Sequence, residues 1–477
     1  MASCSPQYTY RTPTDNYMPT PSIFKAYDIR GIYPGEVNAS DAYAIGNVFA
    51  DLIRDRSGKP TPRISVGSDA RLSSPELKEA LIRGLLEGGA DVDDIGLVST
   101  PTFYAVQASD GADGGVQVSA SHNPQEWNGF KLVYERSIPV SKTSGMFKVR
   151  DAVMHHAVNI AATKGTLRDK SALPGELLRN EIASLSSLHG PLPAFKVAID
   201  TANGMGALDM KALFAGSPAS LVWVNEEVDG TFPGHPADPM KPENTVDLRK
   251  KIVDAECDVG IASDGDGDRY FVFDEKGDVV PAEIFRGMMA QIELQAHPGG
   301  KIVYDVRPGR ITKDMIEDAG GEAVLAPVGH SLIKEVMLSC GAIFGAESSG
   351  HYFYKLPYGV FEAPVTLIYK FLTHIGGQGK PLSEIVAPFR KYFNSGEINT
   401  KLENAEVGNA LLAELRRMHA AAVSTDIDGL SVEYADYWFS VRLANTEPLI
   451  RLIVEARMRE IMEEKRDELL SFIRNRH

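Results

Sequence analysis

The chain reads as an α/β protein of three related mixed α/β domains followed by a smaller α+β domain, and three observations lead to that reading. First, 477 residues exceed what one hydrophobic core organises. Second, a β-rich run ending in aspartate recurs at intervals of about a hundred residues, as Arg63–Asp69, Lys196–Asp200 and Lys301–Asp305, each followed by a turn, a helix-like stretch and another strand. Third, the pattern changes beyond Lys391 to a helix, two strands and a final amphipathic helix. The expected domains are 1–170, 171–277, 278–390 and 391–477.

Taken in order, the first twenty or so residues are polar and proline-bearing with no apolar h-region, which predicts a flexible arm. In the first unit, Ser73-Ser74-Pro75-Glu76 supplies an N-cap and an opening proline. Leu77, Ala80, Leu81 and Leu85 then keep helical spacing until Gly88-Gly89 stops it. Gly115–Val118 alternates like a strand, and Val259–Ala262 and Tyr270–Phe273 read as strands flanking an acidic turn. The last domain predicts a helix over Ala405–Ala421, strands over Trp438–Leu443 and Leu449–Glu455, and a helix over Met458–Ile473.

Composition narrows the class. With 43% hydrophobic and 24% charged residues the chain is an ordinary soluble protein. Its formal net charge of −15 argues against nucleic acid or an anionic membrane as a partner. A phosphorylated substrate would also be repelled at long range, so it needs a local concentration of cations. Arg30, Lys131, Arg269, Arg307 and Arg442 are candidates that only folding can assemble. Cys4, Cys257 and Cys340 are too few and too separated for a disulfide framework or a thiolate metal site, which favours a reducing compartment. With no run approaching about 20 apolar residues, the expected location is cytoplasmic.

Four loops carry chemistry. Ser119-Ala-Ser121-His122-Asn-Pro124, followed by Asn128-Gly-Phe-Lys131, places a serine at a strand end, where it is expected to be exposed and backbone-braced. His122 and Lys131 could supply a proton acceptor and a positive charge to an oxygen nucleophile or its phosphorylated form. The hexapeptide alone also suits a plain Asx-Pro turn. In Asp264-Gly-Asp266-Gly-Asp268-Arg269, glycines between three carboxylates let one tight loop aim all three at a hard cation. An EF-hand would find Glu275 at its twelfth position, but Arg269 occupies the sixth, where glycine is required. An aspartyl-nucleophile phosphotransferase would make Asp264 the nucleophile, although Asp268 stands where haloacid-dehalogenase loops usually carry threonine or valine. Gly345-Ala-Glu347-Ser-Ser349-Gly-His351 packs a carboxylate, hydroxyls and an imidazole suited to sugar hydroxyls. Arg442-Leu-Ala-Asn445-Thr446-Glu-Pro448, with Arg451, suits a phosphate dianion, while Arg442 taken singly would be a solvated strand residue.

These loops, together with Phe24-Lys-Ala-Tyr27-Asp-Ile-Arg30-Gly31, resemble in this order the α-D-phosphohexomutase superfamily, most closely its phosphomannomutase/phosphoglucomutase branch. The resemblance implies domains around a central cleft, Ser121 as a phosphoserine that also touches the metal, and Asp264, Asp266 and Asp268 as ligands of Mg²⁺. It makes His122, Lys131, Arg269 and His330 the catalytic group. Tyr27, Arg30, Arg307, Gly329, Glu347, Ser349, His351, Arg442, Asn445, Thr446 and Arg451 become the substrate contacts. It further implies hexose phosphates as partners, glucose or mannose 1,6-bisphosphate as activator, and a monomer or weak homodimer. The expected reaction interconverts hexose 1-phosphate and 6-phosphate, with weak discrimination at C2 because the sugar must bind in two orientations. Arg307, which does not readily deprotonate, is expected to stabilise charge.

The chain departs from the family pattern at three places. Ala444 replaces a serine of the phosphate loop, Phe361-Glu362-Ala363-Pro364 replaces an acidic pair, and Val328 precedes Gly329-His330 where threonine is frequent. The alternatives are a phosphatase using Asp264 and a noncatalytic sugar-phosphate binding protein.

Overall fold

The computed structural model describes residues 19–155, 158–307, 309–444 and 448–475. The first sheet contains β1 (Ile29–Ile32), β2 (Arg63–Ser68), β3 (Asp91–Leu97), β4 (Gly114–Val118), β5 (Trp127–Tyr134) and β6 (Leu167–Asp169), in the order β1-β5-β4-β2-β3-β6. The second contains β7 (Lys196–Asp200), β8 (Ser220–Val224), β9 (Val259–Ser263) and β10 (Tyr270–Phe273), in the order β10-β9-β7-β8. The third contains β11 (Lys301–Asp305), β12 (Glu322–Ala326), β13 (Phe344–Ala346), β14 (Tyr352–Leu356) and β15 (Gly359–Glu362), in the order β12-β11-β13-β14-β15.

The three repeats expected from the aspartate-ending runs share one pairing scheme. The first strand of each unit (β2, β7, β11) lies between two parallel neighbours, and the second of these pairs antiparallel with the next strand in the chain. That reversal, from β4 to β5, β9 to β10 and β13 to β14, falls at the carboxyl end of the parallel strands, where open α/β sheets collect ligands. The serine, acidic and sugar loops are these three reversals. They occupy equivalent places in three sheets.

The fourth sheet contains β16 (Phe393–Asn394), β17 (Ile398–Lys401), β18 (Val423–Thr425), β19 (Leu430–Glu433), β20 (Tyr437–Leu443) and β21 (Leu449–Ala456), flanked by helices Ala405–Met418 and Arg459–Arg474. Its apolar face closes a core of its own, with Leu411, Leu430, Phe439, Val441, Ile450 and Ile473 buried together. By contrast, Val197 and Ile261 of the second sheet share one apolar cluster with Phe344 and Tyr352 of the third. The C-terminal domain meets the third sheet's side through polar contacts: the Arg310 backbone N–H donates to Glu455 at 3.1 Å, and its guanidinium to the Tyr434 carbonyl at 3.1 Å.

Two local expectations are corrected. The helix over Ser74–Glu87 forms with proline in its first turn, but Ser73 makes no side-chain cap. Its hydroxyl instead accepts from Asn128 at 2.8 Å, tying the helix start to β5. The predicted helix over Ala405–Ala421 ends at Met418. The N-terminal arm falls largely outside the described residues, although Ile23 is buried within a short 3₁₀ turn, Pro21–Ile23. Among the described residues, no helix is long and apolar enough to cross a membrane.

Candidate active site

Ser121 sits just past β4 with a positive φ of 53°, a left-handed conformation that is strained for any residue with a Cβ. Its N–H donates to Ser119 Oγ at 3.0 Å, and its Oγ donates to Asp264 Oδ2 at 3.0 Å and lies 3.3 Å from His122 Nδ1. The expectation that Ser121 is exposed is corrected: it is 2% exposed, because the acidic loop of the second domain packs against it. A Cβ at Gly265 would stand 2.7 Å from the Ser121 carbonyl oxygen, so the glycines of this loop permit the approach as well as the turn.

Asp264, Asp266 and Asp268 are buried, and each places a carboxylate oxygen within 4.8 Å of the others. Asp264 Oδ1 accepts from the backbone N–H groups of Asp268 and Arg269 at 3.1 and 3.2 Å. Burial, followed by the charges of Asp268 and Asp266, pushes its carboxyl well above the ordinary range. Lys131 Nζ bridges Asp266 and Asp268 at 2.6 Å each, and Thr100 donates to Asp266 at 2.6 Å. Burial disfavours the Lys131 charge, but these two carboxylates more than compensate and the ammonium holds its proton firmly. Asp266 Oδ1 and Asp268 Oδ1 remain buried without a hydrogen bond. Buried, unmatched acceptors this close together fit a hard divalent cation.

Around them stands a ring of cations and imidazoles. Arg30 pairs with Asp28 at 2.7 Å and donates to Asn123 Oδ1 at 2.8 Å. Arg269 lies 3.8 Å from Asp264 and donates to His351 Nε2 at 3.2 Å. Burial, then Arg269 and Arg30, lower His122 to about 2, so its ring is neutral. His330 is also held neutral, by burial and then by Lys334 and His351. It stacks on His351 at 5.6 Å and meets Tyr27 edge-on at 5.9 Å, joining the first and third domains.

Of the sugar loop, Glu347 Oε1 accepts from Arg307 at 2.7 Å and from the Gly329 N–H at 3.0 Å, and Ser349 Oγ lies 3.4 Å from Arg307. Burial works against the Arg307 charge, but Asp305, Glu347 and, from the C-terminal domain, Glu397 hold its proton above the ordinary arginine value. Arg442 and Arg451 both bind Glu397, at 2.6 and 3.0 Å, in partly exposed ion pairs. Asn445 and Thr446 lie outside the described residues. A cavity of about 940 Å³ elsewhere, lined by Leu173, Leu188 and Tyr358, contains none of these groups.

Comparisons with known proteins match most of the chain. Family models described as phosphoglucomutase/phosphomannomutase alpha/beta/alpha domains I, II and III match residues 21–155, 180–277 and 280–392, and the C-terminal domain of the same family matches 397–471. The chain belongs to the phosphoglucomutase/phosphomannomutase family. A phosphomannomutase of Escherichia coli is 35% identical over 465 residues, covering 95% of this chain and 99% of that protein. A protein named phosphohexose mutases from Xanthomonas campestris pv. campestris is 36% identical, covering 94% and 98%. The crystal structure of a phosphoglucomutase/phosphomannomutase family protein from Burkholderia thailandensis superposes with a TM-score of 0.85 at 28% identity, covering 96% of this chain and 98% of that one. The protein is therefore an enzyme of the phosphohexomutase class.

Several residues of the candidate site escape a reading of the sequence. Arg71 is fully buried beneath the serine loop, where it donates to the carbonyls of Ser121, Asn123, Pro124 and Trp127 at 2.6–3.0 Å and to Asp69 at 3.1 Å. Asp305 takes the corresponding place under the sugar loop, receiving Arg286 at 2.6 Å and Ser348 Oγ at 2.7 Å. Asp69 directly follows β2 and Asp305 ends β11, so both close the aspartate-ending runs, which was the available signal. Glu362, within the stretch that departs from the family pattern, lies 2.8 Å from Lys334 and 3.3 Å from His351 Nδ1. Burial opposes its charge, but Lys334 and then His351 bring the carboxyl down to about 2. Nothing local to Phe361-Glu362-Ala363-Pro364 signals that pairing.

Proposed function

We propose that this phosphohexomutase interconverts the 1- and 6-phosphates of mannose, glucose or both through a phosphorylated Ser121 and a hexose 1,6-bisphosphate. The observation that carries the reading is the 3.0 Å contact between Ser121 Oγ and Asp264 at the head of a triple-aspartate cluster. The phosphoserine P–O bond breaks as a bond forms from phosphorus to the free sugar hydroxyl. The hydroxyl proton passes to a neutral imidazole, His122 or His330, and is handed on to the departing Ser121 oxygen, so the exchange conserves the proton. After the bisphosphate reorients, its other phosphoryl group returns to Ser121 by the reverse exchange.

Asp264, Asp266 and Asp268 would hold Mg²⁺, which supplies charge neutralisation for the phosphoryl oxygens. Arg30, Arg269 and Lys131 concentrate positive charge on the serine side. Glu347, Ser349 and His351 face the sugar, with Arg307 and the Gly329 N–H holding Glu347 in place. Arg442 and Arg451, with Asn445 and Thr446, anchor the nonreacting phosphate, so binding energy far from the reacting atom organises the site. In the phosphatase alternative, Asp264 would attack phosphorus with oxygens that already accept from two backbone N–H groups and Ser121. That disfavours it.

Incubation with glucose 1,6-bisphosphate followed by intact-mass analysis should reveal one stable phosphoryl group, localised to Ser121 by peptide mapping. Coupled assays with mannose, glucose and N-acetylglucosamine 1-phosphates then rank the sugars. Turnover without a phosphorylated serine would overturn the reading.

A further inference from the structure

Arg442 and Arg451 are direct cross-strand partners on β20 and β21, which brings two guanidinium groups together on one face of the sheet. Like charges in that register repel, and the arrangement calls for an anion. Glu397, between β16 and β17, answers it with one oxygen to each arginine, at 2.6 and 3.0 Å, while Asp428 lies 3.8 Å from Arg442. One carboxylate does not saturate the cradle: the Nε atoms of both arginines are buried without a hydrogen-bond partner. The cradle therefore has donors for more acceptor oxygens than Glu397 provides, as a phosphate dianion would supply.

Resting on the reading of these arginines as the phosphate anchor, we propose that Glu397 is an internal competitor for the substrate phosphate. It occupies and aligns the two arginines in the free enzyme and is displaced when a phosphate enters. A carboxylate left beside a bound dianion would oppose it, so its charge limits how tightly the anchor holds. That limit has a purpose in a reaction whose intermediate must let go of the anchor, reverse and bind again. A tighter grip would trap the bisphosphate in one orientation. Glu397 acts through the arginines and is a positioning residue.

The test compares Glu397→Gln, Glu397→Asp, Arg442→Ala and the unaltered enzyme, with glucose 1,6-bisphosphate and inorganic phosphate as calorimetric ligands and steady-state kinetics in parallel. Glu397→Gln should bind both anions about fivefold more tightly, lower KM, and lower kcat as reorientation slows. Its unliganded melting temperature should fall and be recovered by phosphate. Glu397→Asp, which restores the charge, should return affinity toward the unaltered value. Unchanged or weaker anion binding by Glu397→Gln would overturn the proposal and make the glutamate a permanent brace. If Arg442→Ala leaves bisphosphate affinity untouched, the anchor reading fails and this inference with it. If that variant binds weakly while Glu397→Gln does not bind more tightly, only the competitor role is lost.

Discussion

Ser121 Oγ donates to Asp264 Oδ2 at 3.0 Å across 143 residues of sequence, joining the reversal after β4 to the reversal after β9. The contact sets the candidate phosphoryl carrier against the candidate metal cluster, so one hydroxyl serves both. Ser121→Ala should abolish mutase turnover and covalent phosphorylation. Stability should change by only about 1 kcal/mol, the usual worth of one hydrogen bond. Intact mass, activity and denaturant unfolding measured together check it, and retained turnover would point to Asp264 as the nucleophile.

Asp266 is fully buried and carries an unmatched oxygen beside two other carboxylates. Asp266→Asn should weaken Mg²⁺ binding and depress activity severely, with partial recovery at high Mg²⁺. Calorimetric titration with Mg²⁺ decides this directly. Unchanged affinity would remove Asp266 from the ligand set.

Arg71 satisfies four carbonyls and one carboxylate with a single planar guanidinium. A lysine offers three N–H groups from one nitrogen and cannot span them. Arg71→Lys should therefore destabilise the first domain by about 3 kcal/mol and slow phosphorylation of Ser121. Chemical denaturation and the rate of phosphoryl uptake give the two readouts, and a wild-type rate would show that the serine loop holds its shape without this support.

Glu455 lies at the junction of the third and C-terminal domains, where burial raises its carboxyl from 4.5 to about 7 against the Arg310 N–H bond, with Glu283 adding to the rise. Because the folded value exceeds the unfolded one, its stabilisation is fully present below about pH 4.5 and is lost as pH rises through about 7. Between those limits the wild type should lose up to about 3 kcal/mol that Glu455→Gln retains. Asp209, also raised to about 7 by burial, contributes equally to both proteins and cancels in the difference. Thermal melts across this pH range test it; identical slopes in the two proteins would show that Glu455 does not titrate there.

The architecture and the chemistry-bearing loops were legible in the sequence because both depend on short-range rules. Strand runs such as Lys196–Asp200 and Lys301–Asp305 announce themselves through β-branched and apolar residues, and Asp264-Gly-Asp266-Gly-Asp268 through glycines that let carboxylates converge. Burial and partner choice were not legible, because they arise only when segments distant in sequence pack together. Ser121 looked exposed from its turn, yet the second domain covers it. Glu397 lies 45 residues from Arg442 and 54 from Arg451, and became their partner only when β17 paired with β21. Neither Lys334 nor Glu362 has a sequence neighbour that marks the other as its partner, and their mutual neutralisation beside His351 follows from desolvation inside the third domain. Local spacing specifies which groups a loop presents. The company those groups keep is a property of the packed chain, since charges are forced to pair only where water has been excluded.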